Sequence, residues 1–456
     1  MNSIPSHYAA ILLLLITPAL RAPAQGTLYT IVSNAPSANR YNIVVLSEGY
    51  TSSQLSQFRI DATNAINALF TSQPYQEYQP YFNAYAIAVA STNSGSDHPA
   101  WPLYKNTYFN STYDASSDLI ITIPAGSQGQ GKVDALLQTF VPDYNLSILL
   151  VNDITPGGSD GGSKTAISSI SGLSGILVHE TGHVVAGLGD EYTVANPGYP
   201  NTEEPNTTRE TNRTKIKWNV WISTNTPVPT PPVSQFDSVV GLFQGAHYHT
   251  NGWYRPKLNC TMQSPGYQEF CEVCQEATVL AFYRKVRPID AFSPQSKSLS
   301  VTNTASLTFN LSLLQPATHS LNIRWFTNGI ALPDATNQTL TCWPKDLKTG
   351  SNWVSVVTQD NTALVRNDPT NLLAQTVGWS VNVPYLQLDS PIWLAGGKFA
   401  FRVSGNAPQG FAVQAATNLL NWASISTNTL ANGQFWFTNS VAGSSSNNFF
   451  RAKTPP

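Results

Sequence analysis

Two different periods of apolar and polar positions run along this chain. From Tyr41 to Val151, uninterrupted apolar runs trade places with stretches at helical spacing. Ile43-Val44-Val45-Leu46, Leu119-Ile120-Ile121 and Ile148-Leu149-Leu150-Val151 read as strands covered on both faces. A further strand is predicted over Phe82 to Ala90, where residues alternate. Leu55, Phe58, Ala62, Ile66 and Leu69 recur with the helix period, and a second helix is expected around Val133 to Phe140. Strands that alternate with helices imply a mostly parallel sheet with helices on both faces. Thr165-Ala166-Ile167-Ser168, after the glycine-rich turn 156–162, is expected at the sheet edge, where an extended peptide could pair with it.

Beyond Arg287-Pro288 the period falls to two. Leu307 to Leu311, Asn322 to Phe326 and Trp353 to Val357 are alternating strands with turn-rich spacers, which predicts an immunoglobulin-like β-sandwich without a cysteine pair. A second small β-unit follows from about Tyr385. The domain reading is therefore an α/β unit over 27–289, the sandwich over 290–384 and a C-terminal β-domain over 385–456. The change of pattern at Ile289 leads us to expect that a chain stopped there folds by itself.

At 456 residues the chain is too long for one core, in line with that division. Net charge is −2 and only 11% of residues are charged, so no footprint for nucleic acid is visible. Ala9 to Ile16 is an apolar run followed by Ala22-Pro23-Ala24, which reads as a signal peptide over 1–24 cleaved before Gln25. The run is too short to span a membrane, and no other stretch approaches that length. A secreted protein is expected.

The stretch richest in chemistry is Val178-His179-Glu180-Thr181-Gly182-His183, continuing to Asp190-Glu191-Tyr192. Residues four apart share a helix face, so His179 and His183 can offer two imidazole nitrogens to one ion. Glu180 reaches the position where a water would sit, the arrangement of zinc hydrolases. Leu173, Ile176 and Leu177 lead in as an apolar face, while Gly187 and Gly189 turn the chain away after the second histidine. Asp190 and Glu191 then arrive as carboxylates, and a catalytic zinc needs a third protein ligand.

A long Pro-, Asn- and Thr-rich region follows, to about Val233, and then His247-Tyr248-His249, Trp253-Tyr254-Arg255 and Cys260-Thr261-Met262. Met262 is the only methionine besides the initiator and looks like the Met-turn that floors the metal site of metzincin-type peptidases. Cys271 and Cys274 have metal or redox spacing but lack a second pair, so in an oxidising compartment a local disulfide to Cys260 is expected. His319 reads as a surface residue.

Three segments together resemble the IgA peptidases, a metzincin-like family of zinc metallopeptidases. They are Ser47-Glu48-Gly49-Tyr50-Thr51, the block His179 to Tyr192, and Tyr254-Arg255-Pro256 through Met262 to Cys274, within residues 40 to 285. The resemblance implies one catalytic zinc ion held by His179, His183 and Asp190, with Glu180 as general base. It departs from the broader metzincin spacing, because Gly187 and Asp190 each stand one residue later after His183 than that pattern has them. The implied activity is a secreted zinc endopeptidase acting on protein or peptide. Tyr248, Tyr254 and His249 are candidate donors to the oxyanion. The rival reading is a secreted surface- or glycan-binding protein, anchored through its β-domains, with a vestigial peptidase unit.

Overall fold

The structure, a computed structural model, describes residues 25–454 apart from Ser163, Gln268 and the stretches 302–304, 406–408 and 441–447. The expected signal peptide lies outside the described residues. At the centre of the N-terminal half is a six-stranded mixed sheet. Its members are β1 (Thr27–Val32), β2 (Tyr41–Glu48), β3 (Phe82–Ala88), then, after a two-stranded ribbon of β4 (Thr112–Tyr113) and β5 (Ile121–Thr122), β6 (Leu146–Val151), β7 (Gly158–Ser159) and β8 (Thr165–Ser169). Their order is β1-β3-β2-β6-β8-β7. The four central strands are parallel, and only β1 and β7 run antiparallel to their neighbours.

Every residue of β2 and β6 is buried, as their unbroken apolar runs require. Because side chains alternate across a sheet, Ile43 and Val45 enter one core while Val44 and Leu46 enter the other. The first core packs under α1 (Leu55–Phe70), α3 (Ile176–Ala186) and α4 (Glu272–Tyr283), and the second under α2 (Gln130–Phe140). Two expectations need correction. Thr165–Ser169 is not the edge, because Gly158–Ser159 pairs beyond it. Leu119-Ile120-Ile121 is not a buried strand either. Leu119 and Ile120 are half exposed, and Ile121 joins the small β4–β5 ribbon. An apolar run this short lacks the length and flanks that identify a sheet strand.

The C-terminal region is all β. A three-stranded sheet of Ile289–Ser293, Leu307–Leu313 and Thr339–Cys342 shares one core with a five-stranded sheet that includes Asn322–Thr327, Gly350–Gln359 and Ala374–Val383. Trp325 and Trp379 are fully buried in that core. Two further three-stranded sheets between Leu386 and Lys453 enclose a smaller core of Phe401, Val403, Phe411, Val413, Leu430 and Phe437.

Candidate metal centre

Helix α3 presents His179 and His183 on one face with their rings 4.8 Å apart. Gly187 ends the helix in the left-handed conformation at φ 63°, which glycine adopts without a Cβ clash. The turn it makes bonds Gly187 N–H to His183 O and Leu188 N–H to Gly182 O. That reversal has two consequences. It places Leu188 O 2.6 Å from His183 Nδ1, and it brings Asp190 back over the histidines.

His179 Nδ1 lies 2.8 Å from Thr261 O. A carbonyl only accepts, so both Nδ1 atoms are donors and both Nε2 atoms carry lone pairs when the rings are neutral. These lone pairs converge. His179 Nε2 is 3.1 Å from His183 Nε2 and 3.1 Å from Asp190 Oδ1, and His183 Nε2 is 3.5 Å from the same oxygen. Asp190 Oδ1 is buried and has no hydrogen-bond donor of good geometry. Three lone-pair atoms of the right chemistry, mutually within about a tetrahedral edge for metal bonds of 2.0–2.2 Å, fit a metal ion. Glu180, on the same helix, completes a His179–Glu180–His183 cluster whose ligand atoms all lie within 4.8 Å.

Electrostatics follow from the closeness of these groups. Burial pushes the Glu180 carboxyl up to about 7 against the pull of His179 and His183. For His183 burial works downward, but the Asp190 carboxylate beside it prevails and raises it to about 9. Burial alone would raise Asp190, yet the two histidines hold it below the usual carboxylate range.

The surrounding segments are tied to this centre. Met262 lies beneath α3, where a Cβ on Gly182 would stand 2.8 Å from its sulphur. Its carbonyl accepts from Glu191 N–H at 2.9 Å. Glu48 receives Thr107, Phe109 and Ser111 and so pins the loop that covers the sheet. The irregular region after Tyr192 is anchored too. Asn206 is fully buried and bonds both the N–H and the carbonyl of Gly189 and the carboxylate of Glu191.

A family model described as IgA Peptidase M64 matches residues 30–236 and 232–282, more than half of the chain. The chain belongs to the IgA peptidase M64 family. It is accordingly a peptidase, and the matched span contains the whole cluster that could hold a metal ion.

No curated protein matches the chain. Among solved structures it is similar to the three N-terminal domains of the outer capsid protein Hoc of bacteriophage RB49, at 12% identity and TM-score 0.21, over 36% of this chain and 61% of that one. It is also similar to β-glucuronidase 3 of Bacteroides uniformis (9%, TM-score 0.15, 45% and 29%) and to the adhesin InvE of Yersinia pseudotuberculosis (16%, TM-score 0.15, 36% and 57%). The chain spans less than two thirds of each, and at these scores no fold carries over from them.

The candidate donors fall in different places. Tyr248 OH bonds Asp190 Oδ2 at 2.9 Å. His247 is buried against Trp253, with its nitrogens on Glu204 and Pro200 O, and His249 stacks on the same tryptophan. Tyr254 exchanges backbone hydrogen bonds with Thr208. Tyr192, which the sequence did not single out as a candidate donor, has its hydroxyl 3.4 Å from His179 Nε2, and its ring stacks on His179 at 14°. Burial raises its pKa, which keeps its proton in place. Its one signal in the sequence was its place two residues after Asp190. Among the described residues no helix is long and apolar enough to cross a membrane.

Proposed function

We propose that this peptidase is a secreted zinc endopeptidase that hydrolyses internal bonds of a protein or peptide, with His179, His183 and Asp190 as zinc ligands and Glu180 as general base. The observation that carries the reading is the convergence of His179 Nε2, His183 Nε2 and Asp190 Oδ1 within 3.1–3.5 Å. When bound, zinc supplies the acidity that readies water for attack and polarises the scissile carbonyl. Glu180 takes the water's proton on its carboxylate and hands it to the leaving nitrogen. Tyr192, its hydroxyl at the edge of the cluster, donates to the oxygen that gains charge. Tyr248 holds Asp190 in orientation from the side away from the histidines.

The unit over 27–289 carries this chemistry. The 290–384 unit is read as an immunoglobulin-like sandwich, and with 385–456 it is the part suited to contact a glycan or cell surface. Export through the 1–24 signal peptide places the enzyme outside the cell. Unfolded casein, offered to the full chain with and without a chelator, tests the reading together with zinc content. Turnover lost on chelation and restored by zinc supports it. A zinc-loaded, folded chain that leaves casein intact would falsify it.

A further inference from the structure

A second cluster of ligand-type side chains lies beside the first. Glu191, Cys260, Cys271 and Cys274 are all buried, and their ligand atoms lie within 4.8 Å of one another. Cys274 Sγ is 3.7 Å from Cys260 Sγ, 3.5 Å from Cys271 Sγ and 3.6 Å from Glu191 Oε1. The expected local disulfide is absent from this arrangement: no pair is bonded, and all three cysteines are free. Glu191 is wholly buried, and its Oε2 has no partner.

We infer that Glu191, Cys260, Cys271 and Cys274 form a second, closed metal site, taking a thiophilic divalent ion such as zinc in a structural role. A tetrahedral zinc with bonds of about 2.3 Å to sulphur and about 2.0 Å to oxygen sets its sulphurs roughly 3.8 Å apart and its oxygen roughly 3.5 Å from each. The three separations from Cys274 Sγ are close to those of such a set, the remaining ligand atoms lie within 4.8 Å of one another, and the two sulphur–sulphur distances are far from the ~2.05 Å of a disulfide. The surroundings suit thiolates. Cys271 occupies the N-cap position of α4, at the positive end of the helix dipole, and its own N–H points at Cys260 Sγ from 3.3 Å. Asn206 donates to Glu191 Oε1 at 2.9 Å and so fixes the very oxygen that lies 3.6 Å from Cys274 Sγ, with a second lone pair of that oxygen still free for an ion. Four protein ligands with no open position make a structural rather than a catalytic site.

Each ligand comes from a segment that shapes the first centre. Glu191 follows Asp190, Cys260 precedes the Thr261 carbonyl that orients His179, and Cys271 and Cys274 begin the helix packed against α3. The ion therefore cross-links three segments and fixes Asp190 and His179 relative to each other. It also protects three thiols from oxidation in an oxidising compartment.

The test uses the full chain, expressed and purified without added reductant, with metal content measured on the wild type and on His179→Ala/His183→Ala. The expected result is two ions per wild-type chain and one in the double variant, with X-ray absorption at the zinc edge giving three sulphur neighbours at about 2.3 Å in the variant. A chain whose metal falls to zero in the folded double variant overturns the proposal. So does a wild-type mass showing an intramolecular disulfide among these cysteines. Should the variant misfold, the wild-type spectrum decides, because a purely nitrogen and oxygen shell overturns the second site and any sulphur shell supports it. Loss of casein turnover with the sulphur-bound ion intact would count against the catalytic reading alone.

Discussion

At the scale of single residues, the proposed centre divides the groups around α3 into those that would hold an ion and those that would meet what reacts there. Glu180 shares the helix with the histidines but lacks the short contact to them that Asp190 makes. Glu180→Ala is expected to lower turnover by about 10²–10⁴-fold while the chain keeps its catalytic zinc. Loss of zinc along with activity would make Glu180 structural. Asp190 and Tyr248 form the complementary pair. Asp190→Ala should emerge without the catalytic ion, whereas Tyr248→Phe removes one hydrogen bond to the ligand and should weaken zinc affinity by about 10–100-fold. A chelator-competition titration reads both, and equal affinities for Asp190→Ala and wild type would discard the ligand assignment.

At the scale of elements, α3 is held against the segment 260–271 as tightly as it is because position 182 lacks a side chain. A Cβ there would stand 2.8 Å from Met262 Sδ and 2.8 Å from the Phe270 ring. Two effects of Gly182→Ala oppose each other. Alanine favours an exposed helix interior by about 0.8–1.0 kcal/mol over glycine. Overpacking a filled core costs about 1–3 kcal/mol, and while the methionine can swing, the Phe270 ring has less room to give. Overpacking should win, so the variant is expected to melt at a lower temperature than wild type in a calorimetric scan. An unchanged or raised melting temperature would mean that the helix and the 260–271 segment are less closely packed than described.

At the scale of the whole molecule, the α/β half and the first β-unit are joined through buried polar ties. Asp360 accepts from Tyr78 and Tyr283, both at 2.7 Å, and meets His319 at 2.7 Å, while the other His319 nitrogen meets Glu77 at 2.7 Å. His319 is thus a clasp across the two halves rather than a surface residue. Burial works against its protonation, but Asp360 and then Glu77 outweigh it, so the folded pKa is raised above the ordinary value of about 6.5. A raised folded pKa contributes stability in full below about 6.5 and loses it as pH climbs through the folded value. Wild type should therefore lose more melting temperature than His319→Gln between mildly acidic and alkaline buffer. Parallel curves for the two would remove the clasp from the account.

The same interface changes the expectation for a shortened chain. Leu314 and Leu373 are buried in the core under α1, α3 and α4, and Glu276 on α4 accepts from the backbone of Arg366 and Asn367. A chain stopped at Ile289 leaves that apolar surface open and is now expected to melt lower than the full chain or to precipitate. A soluble truncated chain with the full chain's melting temperature would restore the view that it folds independently.

Much of this was legible in the sequence because it depends on local periods. The buried β2 and β6 follow from unbroken apolar runs, and helices α1 and α2 and the pairing of His179 with His183 from spacings of three to four residues, none of which needs knowledge of the rest of the chain. The glycine break after the second histidine was legible for the same reason. What no local period encodes is which distant segments meet. Thr261 O orients His179 from 82 residues away, Asn206 grips Gly189 and Glu191 across an irregular region, and Cys274 closes on Glu191 over a separation of 83 residues. The place of Tyr192 was not legible either, because no local period encodes its ring lying nearly parallel to that of His179, 13 residues earlier. The sequence by itself determined the chemistry available and the elements that carry it. The family resemblance already named Asp190 as the partner of the histidines, and only the tertiary structure decided that Glu191 faces the cysteines, because adjacent residues on an extended segment point to opposite sides and the packing around them selects the sides.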